Sequence, residues 1–67
     1  MQEVLQQLQK ELKETQILMN DHEKRRDVTP RGSASWRYEN EGAMYYRGEV
    51  NGLKRAIQAI ERAGATK

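Results

Sequence analysis

Between Ala43 and Gly64 the residues Ala43, Tyr46, Val50, Leu53, Ile57 and Ile60 recur at alternating steps of three and four. Those steps return to one side of a 3.6-residue turn, so they mark one stripe of a helix. Gly48, Gly52, Ala56, Ala59 and Ala63 populate the other side, and they are small rather than charged. A helix with an apolar seam and a smooth back is usually covered on more than one side. The stripe therefore predicts a helix that assembles.

The N-terminal third carries a matching pattern. Residues 2–26 contain no glycine or proline and are rich in Gln, Glu, Lys and Leu, all good helix formers. Met1, Leu5, Leu8, Leu12, Thr15, Met19 and His22 follow the same alternating steps, a heptad-like seam of about three repeats. Val4 and Leu18 widen one edge of it, while Ile17 falls nearly opposite. Asp21 and Arg25 are spaced to pair along one helix face, and Lys24, Arg25 and Arg26 suit a helix C-terminus.

Asp27 to Ser35 interrupts both patterns. Pro30 cannot continue a helix and biases Thr29 towards an extended conformation. Gly32 supplies backbone freedom, and Ser33 or Ser35 can cap the next helix. The expectation is an all-α, coiled-coil-like antiparallel hairpin forming one domain over residues 1–67. Helix 1 covers about 2–26, the loop about 27–34 and helix 2 about 35–63. Gly64 is read as the stop, with Ala65 to Lys67 frayed. Asn51-Gly52 is often a turn signal, but the stripe keeps its phase across it, which favours an unbroken helix over a kink.

Size limits what such a hairpin can do alone. Chains below ~70–80 residues rarely bury enough core without disulfides, metal or oligomerisation. This one has 67 residues and no cysteine, so oligomerisation is the remaining staple. The expected assembly is a homodimeric four-helix bundle or a larger ring. Its meeting surfaces would hold Leu5, Leu8, Leu12 and Met19 of helix 1 with Tyr45, Gly48, Glu49, Gly52, Leu53, Ala56 and Ile60 of helix 2. Helical glycines cost ~0.8–1 kcal/mol each against alanine, and Gly48-x-x-x-Gly52 would let another backbone approach closely. The same glycines are also compatible with a solvated face. Glu49 lies between seam and small-residue face, where burial would demand an arginine partner; Arg25, Arg26, Arg31 and Arg37 are available.

Charge and motifs narrow the function. A charged fraction of 33% with net charge +2 is too balanced to announce nucleic acid or an anionic membrane. Arg47, Lys54, Arg55 and Arg62 make a modestly basic stripe, but Glu61 interrupts it and no helix-turn-helix spacing is present. No apolar run approaches the ~18 residues of a membrane span, and MQEVLQQLQKE is not a signal peptide; a cytoplasmic protein is the expectation. A lone histidine without cysteine or suitably spaced carboxylates is no metal site, and His22 is read as packed or hydrogen-bonded. No nucleophile-plus-base constellation or phosphate loop appears, so the chain is read as non-enzymatic and without cofactor.

The segment from Thr29 to Tyr38 is the most suggestive for binding. Arg31, Ser33, Ser35, Trp36, Arg37 and Tyr38 combine arginines, hydroxyls and aromatic rings at a helix start. Such groups suit a phosphate and a stacked base, and so a nucleotide-like anion. The simpler alternative has Trp36 and Tyr38 cap the hairpin's end while the arginines stay in solvent.

The stretch Tyr45-Tyr-Arg-Gly-Glu-Val-Asn-Gly-Leu-Lys-Arg-Ala-Ile57 resembles helices of small accessory proteins of tailed phages. That resemblance implies a non-catalytic binder that inhibits a host protein, counters a defence component, or sequesters a nucleotide signal as an oligomeric sponge. It assigns no residue a role.

Overall fold

The computed structural model describes residues 2–65 and is a helical hairpin. Helix α1 spans Gln2–Asp27 and helix α2 spans Ala34–Ala65. The antiparallel pairing is visible at both ends of the contact. Arg25 reaches Glu39 near the loop, while Thr15 and Leu18 share a groove with Glu49 and Leu53 further along. Helices of 26 and 32 residues measure ~39 and ~48 Å. The Cα trace accordingly extends 52 × 15 × 12 Å, a rod rather than a ball. Among the described residues no helix is long and apolar enough to cross a membrane.

The two predicted seams meet each other. From α2 the seam buries Ala43, Val50 and Ile57, at 1%, 3% and 8% exposure. Tyr46, Leu53 and Ile60 are half-buried, as are Leu5, Leu8, Leu12, Met19 and His22 from α1, with Thr15 buried between them. The helix ends depart slightly from expectation. α2 starts one residue early and runs through Gly64 to Ala65. Gly64 does not adopt the positive φ of a left-handed cap, so it remains part of the helix. Met1, Thr66 and Lys67 lie outside the described residues, and with them the first seam position and the rest of the frayed end. α2 is continuous across Asn51-Gly52.

What the hairpin leaves uncovered follows from there being only two helices among the described residues. Val4, Ile17, Leu18, Val28, Tyr38, Met44 and Tyr45 are all exposed. Gly48, Gly52, Ala59 and Ala63 are exposed too, and Ala56 is half-buried. Apart from their chain neighbours and the nearby backbone of α2, no atom stands within 4 Å of where a Cβ would project from Gly48 or Gly52, so the small-residue side is open in the single chain.

Candidate functional site

The loop of residues 28–33 is built from its own hydrogen bonds. The Thr29 hydroxyl donates to the Arg25 carbonyl at 2.6 Å, and the Thr29 amide donates to the Arg26 carbonyl at 3.1 Å, closing the end of α1. Pro30 to Ser33 then form a turn closed by the Ser33 amide on the Pro30 carbonyl at 3.2 Å. Gly32 occupies its third position at φ +86°, a conformation that L side chains rarely adopt. Ser33 is the N-cap of α2. Its carbonyl accepts the Arg37 amide at 3.0 Å, and its hydroxyl oxygen accepts the Trp36 amide at 3.1 Å while donating to the Pro30 carbonyl at 2.7 Å.

Next to this loop the seam turns polar. Glu39 is only 7% exposed, yet it lies on the inward face of α2. Arg25 Nε donates to its Oε2 at 2.5 Å, so Arg25 reaches across to Glu39 rather than along its own helix to Asp21. His22 Nδ1 stands 3.5 Å from Glu39 Oε1 and 3.4 Å from the Arg25 guanidinium. With its proton on Nδ1 the ring donates to the carboxylate; with a lone pair there it accepts from the arginine. The ring stacks on Tyr46 at 5.6 Å between centroids and meets Tyr38 edge-on at 6.1 Å. Gly42 lies beneath it so closely that a Cβ would stand 2.6 Å from Cε1. A second set of contacts flanks this one: Arg26 donates to Asn40 Oδ1 at 3.1 Å and to Asp27 Oδ1 at 3.2 Å, and Glu23 accepts Arg47 at 3.5 Å. Every arginine thus placed has an internal partner, and a carboxylate held by Arg25 and His22 is positioned to lock the hairpin.

Open grooves surround this end. Arg25, Val28, Thr29, Ala34, Ser35, Tyr38 and Glu39 line one. Arg26, Asp27, Thr29, Arg31, Trp36 and Asn40 line another, in which the Arg31 guanidinium lies 6.0 Å from the Trp36 ring centroid. His22, Tyr38, Glu41, Gly42, Tyr45 and Tyr46 line a third. The six residues expected to form a ligand pocket are consequently divided. Arg31 and Trp36 share the second groove, and Ser35 and Tyr38 share the first. Ser33 is spent on the helix cap, and Arg37 is exposed and lines neither.

The expected interface residues also fall in two places. Leu5, Leu8, Leu12, Met19, Leu53 and Ile60 are half-buried in the seam within one chain. Tyr45, Gly48, Glu49 and Gly52 face outwards, and Ala56 is half-buried. Glu49 draws on none of the arginines considered for it. It accepts a hydrogen bond from the exposed Tyr45 phenol, which together with the carboxylate's charge raises the Tyr45 pKa above 10.0. His22 is packed and hydrogen-bonded, as read from its place in the seam, and among the described residues no group of three His, Cys, Asp or Glu could hold a metal ion.

Sequence reasoning missed Glu39 and Gly42, though Glu39 left a signal. Continuing the three–four steps backwards from Ala43 gives Glu39 and then Trp36; continuing forwards from His22 gives Arg26. A criterion that follows only apolar residues stops one step short of the polar half of the seam. No protein-family model, curated protein or solved structure matches the chain.

Proposed function

We propose that this chain is a small non-enzymatic binding protein that works as an assembly of hairpins, inhibiting or sequestering a target such as a host protein. The observation that carries this reading is the amount of surface left open. A compact protein of 7.8 kDa exposes ~4,400 Å² by the usual scaling with mass. The hairpin exposes 5282 Å². The excess is roughly 900 Å², close to the ~800 Å² that each partner contributes to a standard interface. Apolar side chains and the Gly48–Gly52 ridge supply part of that open surface. The test is the mass in solution, by light scattering over a wide range of concentration. A folded species of single-chain mass throughout would remove the assembly from the reading.

A second reading is favoured by one geometric fact, the Arg31 guanidinium set against the Trp36 ring. A nucleotide-like anion could exchange into that groove, its base on the indole and its phosphate on Arg31 and Arg26. Asp27 opposes this, since its carboxylate lines the same groove and already engages Arg26. Calorimetry against a panel of mono-, di- and cyclic nucleotides decides it. Heat of binding that disappears in Trp36→Ala supports a nucleotide sponge, and no heat with any nucleotide ends that reading.

A further inference from the structure

One more groove runs along the middle of the hairpin, away from the loop. Its floor is Thr15, Leu18, Gly52 and Leu53, and its rim is Glu11, Glu14 and Glu49. Three carboxylates around a largely apolar floor, with no cation among the lining residues, run against a net charge of +2 for the whole chain. The floor is shallow at Gly52, where nothing beyond its chain neighbours and the nearby backbone of α2 stands within 4 Å of a projected Cβ, so a helix backbone can come close.

The opposite charge is found on the outer face of α2. Lys54, Arg55 and Arg62 are exposed, and none of them joins the ion pairs of the described residues. At 100° per residue Arg55 and Arg62 fall within ~20° of each other and ~120–140° from Glu49, with Arg55 ~60° from Gly52 at the groove's edge, whereas Lys54 lies ~100° from Arg55 beside the buried stripe. Gly48 and Ala59, both short, flank Arg55 on that side.

We propose that copies of this chain associate head-to-tail, the acidic groove of one hairpin receiving the outer α2 face of the next through Arg55 and Arg62. This rests on the assembly reading above and gives it a geometry. Docking groove on groove about a two-fold axis would gather Glu11, Glu14 and Glu49 from both copies with no cation among the residues that line the groove, and like charges across an interface are repulsive. A head-to-tail contact pairs unlike faces instead. It leaves one free groove and one free face until a ring closes, so the assembly passes beyond a dimer.

Light scattering and ultracentrifugation on three chains and one mixture test the proposal. Wild type is expected to form a ring or chain larger than a dimer. Gly52→Leu, which fills the groove, and the double variant Arg55→Glu/Arg62→Glu are each expected to run at single-chain mass. Mixed in equal amounts they should stop at twice that mass, because one intact groove then meets one intact face. The milder Arg55→Gln/Arg62→Gln pair, read if the reversed charges reduce the helical circular dichroism, should weaken association about tenfold. If wild type self-associates but the arginine variants keep its mass, or the mixture stays monomeric, the head-to-tail arrangement is wrong while assembly stands. A wild type of single-chain mass overturns the assembly reading itself.

Discussion

Gly42 has no side chain because His22 occupies the space. Alanine there would gain helix propensity but must displace an imidazole wedged between Tyr46 and Tyr38. Overpacking usually costs ~1–3 kcal/mol and the propensity gain returns about 1, so Gly42→Ala should lose up to about 2 kcal/mol. Gly48→Ala, into open space, should gain about 1 kcal/mol in the hairpin itself. Thermal melts at low protein concentration read both, since 1 kcal/mol moves the Tm of so small a domain by about 4–8 °C. Tyr45 offers a different check. Its hydrogen bond to Glu49 favours the protonated phenol, so its pKa rises above 10.0 in the fold. The stability this contributes is complete below pH 10 and is lost as pH rises through the folded pKa. The Tyr45 ring followed by NMR should titrate above 10.0, and Glu49→Gln should bring it back towards 10.0. Of these contacts the sequence showed only His22's place in the seam and that Gly48 could face solvent. Glu39 was hidden because a carboxylate at a seam position reads as the end of the seam, and Gly42 because a close approach depends on what lies across from it.

The elements themselves were legible, for local reasons. Alternating steps of three and four specify helices regardless of what the seam packs against, and the stripe's unbroken phase already argued for continuity past Asn51-Gly52. Pro30, Gly32 and Ser33 mark the loop because each has one thing to do there: end a helix, take a positive φ, and cap the next helix. Gly64 misled, since a glycine near a helix end stops it only where it adopts the left-handed conformation. The cap can be tested alone. Ser33→Ala leaves the Trp36 amide without its oxygen and should cost about 1 kcal/mol, while Ser33→Asp should largely preserve stability. Faster hydrogen exchange at the Trp36 amide in the alanine variant, with α1 unaffected, would place the loss in that turn.

On the scale of the molecule, two helices bury one side of each other and leave the rest to solvent or a partner. Association that removes the open side from water must make folding depend on concentration. The Tm should rise steadily over successive tenfold increases in protein, by differential scanning calorimetry, and the rise should shrink in Gly52→Leu. A Tm independent of concentration would mean that the seam suffices. The hairpin could be foreseen because its two stripes complete each other within one chain. What covers Gly48 and Gly52 could not, because small residues spell an interface and a bare surface with the same letters.

The polar end of the seam also limits how such a hairpin can change. Sliding α2 by seven residues along α1 would carry Glu39 either level with Thr15 and Leu18, where no cation stands, or beyond the end of α1 at Asp27. The aliphatic layers farther along would accept the slide, but the carboxylate would not. Paired seven-residue blocks could therefore be added or removed at the end far from the loop without disturbing the alignment. The same edit between His22 and Glu39 would break it, so the hairpin can lengthen in one direction only.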